Sequence, residues 1–154
     1  MDELRVIGDD NTKQYIVVSL GIEHFGIDIG YIDNIVRMQK ITRVPKAQHY
    51  FKGIINLRGE IVPVMSIRRK MGLDDDVITN KTRIIILRIE DSGCLGVLVD
   101  EVREVVTLSG DQIDRFLPDS REGGHTFLNG IGKNGENLIS LLDIGKIVDE
   151  RDAV

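Results

Sequence analysis

The 154-residue sequence has no tryptophan, a single cysteine and an aromatic fraction of only 5%. Its one cysteine, Cys94, excludes an internal disulfide and a metal site built from several thiolates. The residues around Cys94 predict a strand, where an isolated cysteine is usually a small buried hydrophobe. Because aromatic side chains are scarce, isoleucine, valine and leucine must fill the core, and the β-branched members of this set favour β-structure.

Long apolar runs are also missing, so the sequence predicts no membrane-spanning helix. The string Met1-Asp2-Glu3-Leu4-Arg5 has neither the basic nor the apolar region of a signal peptide. We therefore expect a reduced, soluble, cytoplasmic protein. The formal net charge of −5 argues against nucleic-acid binding, because the only dense cationic cluster is Arg68-Arg69-Lys70. We interpret that cluster as a solvated helix face.

Motifs for nucleotide or metal binding are absent or out of context. Residues 130–135 match the glycine-rich dinucleotide motif, but a predicted strand follows them where the motif requires a helix. The histidines His24, His49 and His125 lack the converging partners of a metal site. Asp74-Asp75-Asp76 lacks the glycine and distal glutamate of a calcium loop, and we interpret it as a solvated linker.

Carboxylates at predicted strand ends are the remaining candidates for catalysis, namely Asp28, Asp33, Asp100 and Glu101. Such side chains are usually solvated, and nothing in the sequence fixes their separation. No nucleophile elbow, zinc-protease motif or phosphate-binding loop occurs. We therefore expect no catalytic activity, no metal and no cofactor.

The most distinctive stretch, residues 53–64, predicts a β-hairpin. Two β-prone runs flank a turn at Arg58-Gly59, and glycine readily adopts the positive φ that such a turn needs. Charged residues at a bend are usually solvated, so Arg58 and Glu60 by themselves indicate only a surface turn. The alternative is that a rigid hairpin presents the arginine to a partner.

The chain reads as two copies of one unit, over residues 14–72 and 82–149, after a flexible arm over residues 1–13. Residues 25–36 align with 95–106, and residues 53–67 align with 130–144 when one residue is shifted across the turn. We predict about five strands and one short helix in each copy. Units this small rarely close a core alone, and strands curl into barrels to protect their edges. The predicted fold is all-β, two small β-barrels packed together, with strand exchange between the copies allowed.

Several local elements follow from the same pattern. We predict strands over residues 14–20, 25–29 and 41–45, and a short helix over residues 66–71. Residues 30–36 fit either one helical turn or a bent strand. Lys133-Asn134-Gly135 is the predicted turn of the second hairpin.

Strings in both copies resemble the CheW family of bacterial chemotaxis coupling proteins. In the first copy these are Phe25-Gly26-Ile27-Asp28-Ile29, Ile41-Thr42-Arg43-Val44-Pro45 and the hairpin with its Asn-Leu-Arg-Gly turn. The second copy agrees over residues 96–100 and 138–144, so the resemblance covers about residues 14–148. It implies a single domain over residues 14–149 that contains two SH3-like five-stranded β-barrels without catalytic activity.

The resemblance also implies a function and partners. The family's adaptors link the cytoplasmic tips of chemoreceptors (methyl-accepting chemotaxis proteins) to the regulatory domain of the histidine kinase CheA, in membrane-bound receptor arrays that include further adaptor copies. The receptor tip is expected in an apolar groove between the barrels. The receptor-facing positions carried over are Ile32, Ile35, Val36, Gly53, Arg58, Gly59 and Val99. The kinase-facing positions are Ile41, Thr42, Val44 and Pro45.

Two positions depart from the family pattern. Related sequences commonly have a glutamate where Asn34 stands, and that glutamate can pair with the hairpin arginine. Arg58 therefore lacks this partner, for which Asp33 or Glu60 could substitute. Related sequences also usually have an aspartate where Ser66 stands, although Ser66 could still cap the following helix.

Two alternatives stay open. The first is a CheW-like adaptor of another chemosensory pathway, such as surface motility. The second is a small-ligand-binding or hydrolytic β-barrel that uses Asp28 and Asp100. That barrel predicts a deep polar cavity and stabilisation by ligand, whereas an adaptor predicts a shallow apolar groove.

Overall fold

The structure is a computed structural model that describes residues 12–90, 93–115 and 127–149. In these ranges the chain is built mainly of strands, and the predicted all-β class is confirmed. The strands are β1 (Thr12–Leu20), β2 (Glu23–Asp28), β3 (Ile32–Arg37), β4 (Phe51–Leu57), β5 (Glu60–Ser66), β6 (Arg83–Ile89), β7 (Gly93–Val99), β8 (Glu101–Ser109), β9 (Ile113–Arg115), β10 (Leu128–Asn134) and β11 (Asn137–Leu142). The helices are α1 (Ile67–Lys70) and α2 (Ile144–Ile147), and single 3-10 turns span Ile29–Tyr31 and Gly110–Gln112.

The strands form two sheets. The six-stranded sheet has the order β8-β1-β2-β11-β10-β9, and the five-stranded sheet has the order β3-β6-β7-β5-β4. Each sheet contains one parallel pair, β2 with β11 in the first and β5 with β7 in the second. All other pairs are antiparallel. The predicted arm over residues 1–13 lies almost entirely outside the described residues.

The two sheets do not correspond to the two halves of the chain. Strands β1 and β2 from residues 14–72 complete the sheet of β8 to β11, while β6 and β7 from residues 82–149 complete the sheet of β3 to β5. The copies therefore exchange their first hairpins. The repeat is visible in the parallel pairs, because Val64 lies opposite Gly96 just as Leu141 lies opposite Gly26.

Two local predictions are wrong. The predicted strand over residues 41–45 is reduced to one bridge between Thr42 and Ile54, because the chain turns away at Pro45, which cannot donate a backbone hydrogen bond. The second hairpin turns at Gly135-Glu136, since Asn134 still pairs with Asn137. The other elements agree with the sequence. Residues 29–36 contain both the helical turn and the strand, and α1 begins after Ser66.

Three apolar clusters hold the sheets. Each sheet encloses one cluster of its own side chains, and a third cluster, the central cluster, lies between the sheets. Neighbouring residues of β1 alternate between two clusters, with Tyr15 and Val17 in the cluster of the six-stranded sheet and Ile16 and Val18 in the central cluster. Both faces of β1 are thus buried, which is consistent with its run of consecutive apolar residues. Because the central cluster takes residues from both sheets, the sheets form one packed unit.

The prediction that the basic cluster at residues 68–70 is a solvated helix face is wrong, because all three side chains form hydrogen bonds with other parts of the chain. Arg68 donates to both carboxylate oxygens of Asp100, at 3.2 Å and 2.5 Å, and Asp100 also accepts from the Gly21 N–H. Burial alone would raise the pKa of Asp100, but these hydrogen bonds outweigh burial and the pKa is lowered. Arg68 follows β5 in one sheet and Gly21 follows β1 in the other, so this contact joins the two sheets.

The prediction of a solvated linker at residues 74–76 holds for Asp74 and Asp75, which are exposed, but is wrong at Asp76. Arg69 holds Asp75 through two hydrogen bonds of 2.9 Å, and the hydrogen bond from Arg69 lowers the pKa of Asp75. Asp76 accepts from the Ser66 hydroxyl at 2.5 Å and its side chain is only 4% exposed. Ser66 in turn caps α1 by accepting from the Arg69 N–H. Asp76 thus brings a carboxylate to the helix start where the family pattern has one at position 66.

Candidate functional site

The hairpin between β4 and β5 has the turn that the sequence predicted. Arg58 and Gly59 are its two central residues, with φ of 53° and 86°. Positive φ at both positions is the geometry that matches the twist of a two-residue hairpin. The Asn56 side chain fixes the turn, because its Oδ1 accepts from the Gly59 N–H at 2.9 Å. An arginine in the left-handed region is strained, by about 1–2 kcal/mol, and such strain concentrates at functional positions.

The tip of this hairpin borders a shallow concavity, which we call the hairpin depression. It brings Arg58 and Val36 together with Asn34. Its lining residues are Asp33, Asn34, Val36, Gln39, Leu57, Arg58, Glu60, Val62, Ile86 and Cys94. Asp33 forms an ion pair with Arg88 instead of Arg58. Among the residues that the structure describes, neither Arg58 nor Glu60 makes an ion pair, so the missing charge partner of Arg58 is not replaced.

A second concavity, the intersheet groove, lies between the five-stranded sheet and α2. Two adjoining depressions form it and share Ile89 and Val148. One is lined by Tyr50, Phe51, Pro63, Met65, Ile89, Cys94, Leu95, Val148 and Asp149, and the other by Gly30, Tyr31, Arg88, Ile89, Glu90, Ile144, Gly145 and Val148. Lys70 contacts two of the lining residues, since its Nζ lies 4.2 Å from the Tyr50 ring and donates to the Asp149 carbonyl at 2.6 Å.

None of the seven expected receptor-facing residues lines the intersheet groove. Ile32 and Ile35 are half-buried against the central cluster, and Val99 is 0% exposed within it. Gly53 is buried beside Thr42, where an added Cβ would lie 2.1 Å from the Thr42 carbonyl oxygen. The lining residues that the sequence analysis missed come from several separate strands, and no local pattern distinguishes them from other core residues.

The four expected kinase-facing residues lie together on the loop between β3 and β4. Thr42 exchanges two backbone hydrogen bonds of 2.8 Å with Ile54, which fixes the loop to β4. Ile41 packs against the cluster inside the five-stranded sheet, while Val44 is 46% exposed and Pro45 is exposed. These residues border a third concavity, the loop concavity, lined by Ile41, Arg43, Val44, Pro45, Lys46, Ala47, Gln48, His49, Phe51, Lys52 and Arg69.

The carboxylates of the catalytic alternative have structural partners. Asp28 accepts from the Gly30 N–H at 2.9 Å and pairs with Lys13, while Asp100 holds Arg68 and Gly21. Neither of them lines the three concavities described above. Over residues 12–90, 93–115 and 127–149, no group of three or more histidine, cysteine or acidic side chains could hold a metal ion. In the same ranges, no helix is long and apolar enough to cross a membrane.

Comparison with known proteins agrees with this architecture. The chemotaxis protein CheW of Thermotoga maritima is 34% identical over 143 residues, which cover 92% of this chain and 92% of that protein. CheW of Klebsiella aerogenes is 30% identical over 149 residues, covering 96% and 89%. The crystal structure of the scaffolding protein TtCheW from Thermoanaerobacter tengcongensis matches with a TM-score of 0.77 at 31% identity, covering 85% of this chain and 88% of that one.

The two sheets correspond to the two SH3-like barrels of CheW, so the predicted architecture is confirmed, with six strands rather than five in one of the sheets. The family model described as a CheW-like domain matches residues 14–152. This range includes both copies of the repeat and all three concavities. By its sequence over nearly the whole length, and by its fold, the chain belongs to the CheW-like domain family.

Proposed function

We propose that this chain is a non-enzymatic adaptor of chemotaxis signal transduction, which couples the cytoplasmic tips of chemoreceptors to the histidine kinase CheA. The observation that carries the proposal is the family match over residues 14–152. An adaptor needs no catalytic group. It must hold two partners in a fixed relative geometry, so that a change at one partner alters the population of active states of the other.

The structure supports such rigidity. The central cluster packs both sheets together, and the contact of Arg68 with Asp100 and Gly21 joins them a second time. The intersheet groove and the loop concavity share Phe51, so the proposed receptor and kinase surfaces lie on one rigid body. A displacement at one surface is therefore transmitted without internal rearrangement.

In this proposal the receptor tip occupies the intersheet groove and extends to the hairpin depression. The groove supplies apolar contact area through Phe51, Ile89 and Leu95, and a helical tip can place its own apolar residues there. Arg58 and Gly59 would contact the receptor at the hairpin tip, together with Val36 in the hairpin depression. Gly53 and Val99 are buried, so they would act by shaping these surfaces rather than by contact.

The kinase regulatory domain contacts the loop between β3 and β4 in the same proposal. Val44 and Pro45 offer exposed apolar surface, while Ile41 and Thr42 hold the loop in place. Further copies of the chain would join the same assembly at receptor arrays on the membrane. Each contact can then be weak, because the array supplies many simultaneous contacts at high local concentration.

Site-specific photo-crosslinking tests the assignment of the two surfaces. One variant carries a photoreactive side chain in place of Leu95 in the intersheet groove, and another carries it in place of Val44 on the loop. With receptor and CheA both present, we expect the first to crosslink to the receptor and the second to the kinase. A photoreactive group in place of the exposed Leu138, which lies in neither concavity, is the control. Exchanged partners, or crosslinks no stronger than those of the control, would contradict the proposal.

A second candidate is a CheW-like adaptor of another chemosensory pathway. The similarity to Protein PilI of Pseudomonas aeruginosa favours it, since that relative carries a different name, although it is only 22% identical over 112 residues. Isolation of the kinase that co-purifies with this chain from its own cells separates the two candidates. We expect a CheA that phosphorylates the chemotaxis response regulators, and a kinase devoted to another output would favour the second candidate.

A further inference from the structure

The distribution of charge along the chain carries an inference about the partner at the loop concavity. Residues 34–59 contain no aspartate or glutamate, although the whole chain has 25 of them and a net charge of −5. The same 26 positions hold six cations, at Arg37, Lys40, Arg43, Lys46, Lys52 and Arg58. A long segment of one sign within a chain of the opposite sign indicates a surface that meets opposite charge.

The fold gathers part of this segment around the loop concavity. Arg43, Lys46, His49 and Lys52 line it, and Arg69 enters from α1. The nearby carboxylates are already occupied, because Asp75 pairs with Arg69 and Asp76 holds Ser66 and lies 4.0 Å from Lys52. Among the residues that the structure describes, Arg43 and Lys46 are exposed and make no ion pair. The concavity therefore presents cations that the chain itself does not neutralise.

The loop is held in place before any partner binds. Its backbone is fixed by the two bonds between Thr42 and Ile54, and the Phe51 N–H donates to the Gln48 carbonyl at 3.0 Å. Arg69 also donates to the His49 carbonyl at 2.8 Å. A preformed surface loses less conformational entropy on binding, so its charges contribute more to recognition.

We propose that the loop concavity recognises a carboxylate-rich protein surface, and that this surface belongs to the kinase regulatory domain. The inference rests on the proposed function and adds the chemistry of that contact. Exposed Val44 and Pro45 lie between the cations, and an apolar centre with a charged rim is the anatomy of a protein interface. A nucleic acid fits less well, since the chain outside residues 34–59 is strongly acidic and would repel a long polyanion.

The charges at such a rim act mainly on the rate of association and its dependence on salt. Binding of full-length CheA is measured by surface plasmon resonance at rising ionic strength, where the screening length falls to about 10 Å at 0.1 M salt. We expect the association rate constant of the wild-type chain to fall by about tenfold or more over this range. We expect the variant Arg43→Glu/Lys46→Glu to associate at least about tenfold more slowly at low salt and to lose most of the salt dependence.

Three controls make the result specific. Lys81→Glu changes the charge of an exposed lysine outside the concavity and is expected to associate like the wild-type chain. A carbodiimide crosslinker, which joins lysine amines to carboxylates, is expected to link Lys46 to aspartate or glutamate of the kinase. Lys46→Arg keeps the positive charge and is expected to lose that link while retaining fast association.

The outcomes separate this inference from the proposed function. If CheA binds tightly, and its association rate depends neither on salt nor on the Arg43→Glu/Lys46→Glu change, the inference is overturned and the proposed adaptor role is left intact. Absence of kinase binding by the wild-type chain at low salt would overturn both. A short DNA duplex that binds through Arg43 and Lys46, while kinase binding does not need them, would assign the concavity to nucleic acid and overturn the inference.

Discussion

Arg58→Gly is expected to make the protein slightly more stable while it impairs coupling. The structure places this arginine at the tip of the hairpin between β4 and β5, with φ of 53°. Its side chain makes no ion pair among the residues that the structure describes, so its removal costs no internal contact of that kind. The fold therefore does not need this arginine, whereas the proposed receptor contact does.

The size of the effect follows from two opposing terms. A residue other than glycine in the left-handed conformation pays about 1–2 kcal/mol, which glycine does not pay. Glycine also makes the unfolded chain more flexible, which lowers the stability by about 0.4–1 kcal/mol. We therefore expect the free energy of unfolding to rise by about 0.5–1 kcal/mol. Gly59→Ala at the neighbouring position has the opposite expectation, a net loss of about 0.5–1 kcal/mol, because the same two terms change sign at φ of 86° and no atom within 4 Å adds a clash.

Urea unfolding measures the stability of both variants, and receptor-stimulated phosphorylation by CheA measures coupling. Arg58→Lys serves as the charge-retaining control, and it is expected to couple better than Arg58→Gly. A drop in the stability of Arg58→Gly by more than about 1 kcal/mol would show that the arginine holds the fold, contrary to the expectation from its left-handed conformation. Full coupling by Arg58→Gly would refute its role at the receptor.

Three further changes test other contacts. Asp100→Asn is expected to lower the free energy of unfolding in urea by about 2 kcal/mol, because Arg68 loses a charged acceptor. The control Glu101→Gln removes a surface ion pair of 3.9 Å with Arg103 and should lower it by less than about 0.5 kcal/mol. Folding lowers the pKa of Asp100, so its stabilisation of the fold is present above the unfolded pKa of about 3.9 and is lost as the pH falls through the folded pKa. The unfolding free energies of wild type and Asp100→Asn should therefore converge at low pH, and a difference that stays constant with pH would contradict the assignment. Gly53→Ala is expected to lower the melting temperature more than Gly130→Ala, since its Cβ would lie 2.1 Å from a carbonyl oxygen rather than 2.7 Å; equal shifts would refute this. Leu95→Asp in the intersheet groove should weaken receptor binding in pull-down while kinase binding persists, and unchanged receptor binding would refute the groove assignment.

Local pattern was sufficient for the elements that depend on local chemistry. The Arg58-Gly59 turn, the helix after Ser66 and the repeat of the hairpin were all visible in the sequence, because turn residues, caps and period-two alternation act within a few positions. The exchange of hairpins between the copies was only allowed, not predicted. Two copies with the same apolar pattern pair equally well within or between copies, so pattern alone does not choose a partner.

The contacts that were missed depend on long-range placement. Asp100 accepts a hydrogen bond from Gly21 at a separation of 79 positions, and no residue near either of them in the sequence indicates this contact. The solvated interpretation failed at Asp76 because composition cannot show that the loop folds back onto α1. The intersheet groove is lined by residues from β4, β5, β6 and β7 and from the end of α2, and its shape exists only once those elements pack.

Reconstitution of receptor, CheA and this chain tests the adaptor role most directly. Kinase activity is measured as phosphate transfer to the response regulator, with and without the chain and with and without receptor ligand. We expect receptor control of the kinase to appear only when the chain is present, and the Leu95→Asp change to remove this control. Equal receptor control in the absence of the chain would show that this chain is not the adaptor.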